Sequence, residues 1–424
     1  MLTGQILLQL IVILIVVQLF RVVCLRLGQQ AVVGEILAGL ALGPSLLGVL
    51  FPEMKMSLFP REALPTLQTL GELGLMLYMF TLGTRLEVHV MLNQRRAALA
   101  ASFLGIVLPF GTGILAGFFL YPAYAGSKAT LPSFLLLIGT ALAITAFPVL
   151  ARLLTDKKLV ATRIGTLALT CAAVDDVIAW CLLALVVSVA RAHGVVSSLS
   201  LAALAIVFFL VMLFLVRPLF TFLSHRLSVS AMKIGSVLLM VIAATITNAI
   251  GLHPLFGAFI AGLVLPRRPW LREQEEHIDQ INTILFLPLF FIFSGLQTQL
   301  GLVFTPVSLL LLLLLLFIAC LGKIVGGVLG AKVVGRNSWR ESLTLGVLMN
   351  TRGLVELVVL NIGLDLGILS PTLFSILVVV ALVTTMMASP LLNLLLNRRS
   401  ASGDEDPVSA SVEVASGSHN GAVS

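Results

Sequence analysis

Charged side chains are scarce in this chain. They make up 11% of its 424 residues, against about a quarter in a soluble domain, which excludes a water-exposed globule of ordinary surface. Cysteine is down to four residues. Cys24, Cys171, Cys181 and Cys320 all fall in apolar segments without metal-ligand spacing and read as small packing residues. Segments of about ten residues with alternating polarity are also missing, which excludes the strands of an outer-membrane barrel. The first apolar run lacks the basic n-region and the small-residue cleavage site of a signal peptide, so it reads as a membrane span.

What fills the chain instead is hydrocarbon. Hydrophobic residues occupy 59% of positions, in recurring runs of about 18 to 25, each long enough to cross a ~30 Å bilayer core. Gly and Pro interrupt the runs, as membrane helices tolerate when neighbours satisfy the freed backbone groups. The pattern predicts an all-α polytopic membrane protein with thirteen spans, at 3–25, 31–51, 65–84, 97–121, 132–154, 162–190, 197–218, 232–251, 254–266, 281–299, 306–333, 341–363 and 371–396.

The net charge of +7 would suggest nucleic acid in a soluble protein, but here the basic residues are sorted by loop. One set of loops holds nineteen of them: Arg26, Arg85, Arg95, Arg96, Arg152, Lys157, Lys158, Arg163, Arg217, Arg226, Lys233, Arg267, Arg268, Arg272, Lys332, Arg336, Arg340, Arg398 and Arg399. The other set holds only Lys55, Arg61, Lys128 and Arg191. The positive-inside rule then places the N-terminus outside and the C-terminus in the cytoplasm of an inner (cell) membrane, and dropping the short ninth span would spoil the bias. His277 follows Glu275 and Glu276 in a basic cytoplasmic loop and reads as solvated, while His253 lies at a span end. Residues 397–424, with Asp404, Glu405, Asp406 and Glu413, read as a disordered acidic tail after a membrane domain at 1–396.

Two pairs of segments echo each other. ILAGLALGP at 36–44 resembles FIAGLVLP at 259–266, and Phe80-Thr81-Leu82-Gly83 resembles Phe293-Ser294-Gly295. Each pair is seven spans apart. An odd offset inverts the second copy in the membrane, giving six spans, a linker span and six more, a common build for secondary transporters.

Seven ionisable residues lie in or near the spans: Glu35, Glu72, Asp175, Asp176, Lys323, Arg352 and Glu356. A charge at a helix centre costs roughly 2.5–3.5 kcal/mol on insertion scales, so each needs a partner or a function. Glu35 and Glu72 are near span ends, where water is expected to reach them. Asp175 and Asp176 fall mid-span in AAVDDVIAW (172–180), about 100° apart around the helix, so they cannot share one partner symmetrically. One carboxylate is expected on a buried cation, with Lys323 the obvious one, and the other on a water-filled cavity. Low dielectric penalises charge of either sign, which suits a site that must load a proton on one side and a cation on the other.

Helix breaks are expected at matching places in the repeat, at Thr145-Ala146-Phe147-Pro148 and at Asn350-Thr351-Arg352-Gly353. Proline removes a backbone donor and glycine weakens the helix. The unwound stretches would present oxygen ligands and helix dipole ends, with Arg352 placed to compensate them.

Taken together, AAVDDVIAW, TAFPVLARLL (145–154), Lys323, NTRGLVELVVLNIG (350–363) and GEILAGLALGPSLLG (34–48) resemble, in order and over roughly 1–396, the monovalent cation:proton antiporter superfamily. The branch is the one holding bacterial Na⁺/H⁺ and K⁺/H⁺ antiporters and plant cation/H⁺ exchangers. The resemblance implies a homodimer in the lipid bilayer and elevator-like alternating access. Spans one to three and eight to ten would form the dimerisation domain, spans four to six and eleven to thirteen the mobile core, and span seven the linker. Spans five and twelve would be the crossing discontinuous helices. By position, Asp176 resembles the carboxylate that binds the transported cation or proton, Asp175 the one that pairs with Lys323, and Thr145 a residue lining the site. Asn350, Thr351, Pro148, Arg352 and Glu356 belong to the breaks.

The chain departs from the pattern at one place. Many bacterial relatives carry Gly-Glu directly after the arginine, whereas here Leu354 and Val355 intervene before Glu356. That turns the glutamate about 200° around the helix, away from Arg352. AFPVLAR and GLVEL lean toward the plant exchangers and K⁺; the double aspartate with Lys323 leans toward Na⁺ and electrogenic exchange. An exporter of a larger organic cation or ionophore, an organic-anion symporter, and a channel or sensor derived from the fold remain as other readings. A protease is excluded, because adjacent aspartates cannot meet face to face as a dyad. No cofactor is expected.

Overall fold

Apart from an isolated bridge between Ala125 and Leu369, every regular element among the described residues is a helix. The structure, a computed structural model, describes residues 2–60, 62–85, 95–160, 162–191, 195–334 and 338–400. The helices are α1 (Leu2–Arg26), α2 (Ala31–Leu42), α3 (Leu47–Leu50), α4 (Pro52–Leu58), α5 (Leu64–Arg85), α6 (Arg95–Tyr124), α7 (Leu131–Ala143), α8 (Phe147–Asp156), α9 (Arg163–Arg191) and α10 (Val195–Val211). They continue with α11 (Arg217–Leu223), α12 (Val229–Ala249), α13 (Pro254–Val264), α14 (Pro269–Ile281), α15 (Leu287–Gln297), α16 (Pro306–Leu329), α17 (Trp339–Met349), α18 (Leu354–Asp365) and α19 (Pro371–Ser400). Proline opens several of them, where its missing N–H is no loss. Capping boxes start α7 (Thr130 with Ser133) and α17 (Ser338 with Glu341).

Among the described residues, nine helices are long and apolar enough to cross a membrane, ten when α17 and α18, bent by 41°, count as one. The thirteen expected spans include three beyond these, at α5, α7 with α8, and α13. Of these, α7 and α13 are apolar but short. Large apolar side chains such as Ile11, Ile15, Phe118, Phe119, Leu313 and Phe317 point outward, as a lipid-facing surface requires.

Two expectations are corrected here. The loop predicted around His277 is helical: α14 begins at Pro269 and runs through a π turn (Asn282–Phe286) into α15. Its charged turns lengthen a helix whose apolar part alone was legible. Helix α19 likewise continues to Ser400, so the predicted tail cannot start at 397; residues 401–424 lie outside the described residues, as do Arg61 and Arg336.

The echoing segments pack crosswise. Gly39 of α2 lies against the backbone of Phe291 and Ile292, and Gly43 against Gly295 of α15. Gly83 of α5 lies against Phe259 and Gly262 of α13. Each string therefore meets the partner of its own echo, and the absent side chains let the backbones touch. A similar stripe, Gly322 and Gly326 on α16 and Gly330 in the π turn that follows it, seats that helix against Pro109, Leu104 and Ala101 of α6. That contact carries Lys323 into the protein.

Both expected breaks are present. Ile144 and Ala146 are extended between α7 and α8, and Gly353 precedes α18 at φ 157° and ψ −128°. A Cβ on Gly353 would stand 2.7 Å from Val149 Cγ2. Gly353→Ala should therefore destabilise the protein by about 1–3 kcal/mol, read as a lower unfolding midpoint in detergent; an unchanged midpoint would contradict this backbone assignment.

Candidate functional site

Asp175 and Asp176 lie at the middle of α9, 1% and 0% exposed. Their surroundings differ completely. Asp175 is saturated: its Oδ2 accepts from Lys323 Nζ at 3.0 Å and from Thr145 Oγ1 at 2.8 Å, and its Oδ1 accepts from Ser102 Oγ at 2.5 Å. Lys323 is saturated too, since Nζ also donates to Gly105 O at 2.9 Å and Ala143 O at 2.5 Å. Three donors and three acceptors are what an ammonium can offer and use.

Asp176 has none of this. Among the described residues, neither of its carboxylate oxygens has a hydrogen-bond partner. Desolvating an unpaired carboxylate is costly unless something neutralises it.

The other charges are held by the breaks. Arg352, fully buried, donates from Nη1 to Ala141 O at 2.7 Å and to Glu356 Oε1 at 2.9 Å, and from Nη2 to Leu142 O at 2.7 Å. With Lys323 on Ala143 O, two cations cover the last three carbonyls of α7, which have no partner inside their own helix. They also oppose its negative dipole end. The breaks touch directly, Ala146 N donating to Thr351 O at 3.0 Å. Thr385 Oγ1 donates to Arg352 O at 2.8 Å and fixes the second break from α19.

Most of the expected site residues therefore converge, with two corrections. Thr145 Oγ1 donates to Asp175 Oδ2 at 2.8 Å and to Met349 O at 3.0 Å. Glu356 does pair with Arg352, against the helical-phase argument. Helical phase governs the pair only when both residues are helical, and Arg352 lies in the break, free to reach the first turn of α18. Glu35 is not at water: it is 4% exposed, with Arg21 Nε 3.6 Å from Oε1. Thr351 bonds its own turn through Oγ1 (Leu348 O, 2.9 Å) and contributes its carbonyl to the crossing. Asn350 Nδ2 lies 3.4 Å from Cys320 Sγ, and its Oδ1 is buried without a partner. Pro148 occupies the first turn of α8, C-terminal to the first break.

Ser102 and Gly105 were missed. Their signal is faint, a single hydroxyl and a small residue in the apolar string AASFLG of α6. Ser102→Ala removes one of three donors to a buried carboxylate and should lower stability by about 1–3 kcal/mol, measurable as a fall in unfolding midpoint that Ser102→Thr largely avoids. Equal falls for both variants would point to packing instead.

Comparison with known proteins gives a consistent result. Residues 11–398 match the family model described as sodium/hydrogen exchanger, transmembrane. The chain is 40% identical over 400 residues to the Na⁺/H⁺ antiporter NhaS4 of Synechocystis, covering 92% of this chain and 97% of that one. It is 38% identical over 391 residues to cation/H⁺ antiporter 18 of Arabidopsis thaliana (90% and 48% covered). It is also 32% identical over 405 residues to K⁺/H⁺ antiporter 1 of Saccharomyces cerevisiae (90% and 45%). It thus spans nearly all of the cyanobacterial protein and about half of the plant and yeast ones. In fold it is similar to the sodium proton antiporter MjNhaP1 of Methanocaldococcus jannaschii, with a TM-score of 0.66 at 16% identity, covering 93% of this chain and 97% of that structure.

Proposed function

We propose that this chain, which belongs to the sodium/hydrogen exchanger family of monovalent cation:proton antiporters, exchanges an alkali cation, Na⁺ or K⁺, for protons at Asp176. One observation carries the reading: Asp176 is a fully buried carboxylate with no partner, while its neighbours are paired. Asp175 is balanced by Lys323 and Glu356 by Arg352. One negative charge is left over, and a single positive charge, a proton or a monovalent cation, neutralises it. Both cannot occupy the same oxygens at once. Competition for Asp176 is then the coupling, since each side of the membrane loads whichever ion prevails there.

Lys323 supplies a second proton in this proposal. A cation that draws Asp175 toward it takes the lysine's counter-charge away, and the ammonium then releases its proton. Two protons for one cation make the cycle electrogenic, and each net charge moved is worth about 2.3 kcal/mol per 100 mV. The architecture we propose has thirteen crossings: the nine long helices with α5, α7/α8, α13 and α17/α18. The N-terminus is outside and the C-terminus cytoplasmic. The two six-span repeats are inverted, and the crosswise packing of their echoing glycines supports this. A dimerisation half (spans one to three and eight to ten) holds a second copy. The core half, with the crossing breaks and Asp176, moves against it.

Proteoliposomes with a trapped pH dye and a set membrane potential test the function. Adding Na⁺, K⁺ or Li⁺ should dissipate a preset pH gradient, faster at one polarity of the potential. No response to any alkali cation would sink the antiporter reading. A response indifferent to potential would remove Lys323 from the proton cycle and leave one-for-one exchange.

A further inference from the structure

Glu72 has no part in the exchange site. It lies toward the start of α5, and Arg85 ends that helix thirteen residues later, about 20 Å away at 1.5 Å per residue. The two ends of α5 face cavities of opposite charge. Around Arg85 a cavity of about 640 Å³ is lined by Arg267, Arg268 and Arg272, which with Arg85 outnumber its two acids, Glu275 and Glu276. At the other end, where α5, the start of α13, α15 and α18 meet, is a cavity of about 30 Å³. Its polar lining is Gln68, Glu72, His253, Asn361 and Asp365, with no Lys or Arg among the described residues.

Gln68 straps the two acids together. Its Nε2 donates to Glu72 Oε1 at 3.0 Å and reaches Asp365 Oδ2 at 3.4 Å. Two carboxylates drawn to one neutral amide still repel each other, and a cation between them would remove the repulsion. Asn361 gives a second, separate pointer. It is 5% exposed, and its Nδ2 donates to Leu357 O at 2.7 Å and Ser294 Oγ at 2.9 Å. A main-chain carbonyl accepts only a donor, so the amide orientation is fixed. Asn361 Oδ1 is then the end left buried without a partner, in a residue that lines the cavity. His253 adds no positive charge, because burial, and after it Arg191, pushes its pKa down to about 4.

We propose that this cavity is a capture site for one alkali cation, which it gathers at the membrane face opposite the arginine-lined cavity. The ligands are hard oxygens, two carboxylates and the amide oxygens of Gln68 and Asn361, the set that alkali and alkaline-earth cations prefer over nitrogen or sulfur. By the measure on which one water needs about 10–15 Å³, the space holds an ion with at most one water. The site takes the identity of its cation from the exchange reading but makes no use of Asp176.

Sided vesicles, supplied with NaCl or KCl on one face at a time, test it. Glu72→Gln with Asp365→Asn should raise the cation KM about three- to tenfold on one face only, leave Vmax unchanged, and do so less at high ionic strength. Both acids are exposed, so the double variant should fold normally. Asp176→Asn, run in parallel, reports on the exchange reading alone by abolishing the rate from both faces. A KM unchanged on both faces, or raised equally on both, would overturn the capture site while leaving Asp176 untouched.

Discussion

Asp176→Asn should abolish cation-driven proton movement and leave the protein at least as stable as the parent. The two halves of that result have one cause. In the parent, two buried carboxylate oxygens lack any protein partner, a state that is stable only with a proton or cation in place. Asparagine keeps the shape but removes the charge, so it can neither take up a proton nor neutralise a cation. Transport should fall at least about 100-fold, since on the proposed reading the variant loses the exchanging group outright rather than one contact to it. The unfolding midpoint in detergent should hold or rise. A variant that still exchanges would move the carrier role elsewhere, and one that loses transport only by unfolding would make Asp176 a structural residue.

Lys323→Met should have the opposite signature, with stability hit first. It removes the counter-charge of Asp175 and the donor to Gly105 O and Ala143 O. Breaking a buried pair from one side costs about 3–5 kcal/mol, because the other charge is left behind. Adding Asp175→Asn should recover a large part of this loss, since no charge is then stranded; the amide oxygen accepts from one of the Ser102 and Thr145 hydroxyls and the amide nitrogen donates to the other. A coupling of roughly 1–3 kcal/mol in the double-mutant cycle is expected. Thermal unfolding of the two single variants and the double variant gives it directly, and simple additivity would mean that the pair is not the unit described here.

The parts of this site legible in the sequence were those where burial forces a conclusion. A lysine and two aspartates deep in apolar runs must find partners, so one paired and one unpaired aspartate could be expected from type and position, while which of the two pairs followed only from the family resemblance. Small residues told where helices touch, and Pro148 and Gly353 told where they break. What failed depended on knowing which rule applied where. The Arg352–Glu356 pair is out of phase only on a continuous helix, and Arg352 lies in the break. Helix α14 looked like a loop because its turns from Pro269 to Ile281 are polar, although polarity does not forbid a helix that packs one face on α5. Glu35 was assigned to water from its place near a span end, yet Arg21 of α1 closes over it. Ser102 was invisible, since one hydroxyl in an apolar helix usually bonds its own backbone and nothing local says that this one faces Asp175.

The central claim is that one carboxylate holds either a proton or a cation. Cation titration of the purified protein in weakly buffered solution, with proton release followed by a pH dye, tests it most directly. Na⁺ or K⁺ should release protons from the parent protein in step with binding, and Asp176→Asn should release none. Saturable cation binding with no proton released by the parent would contradict the account.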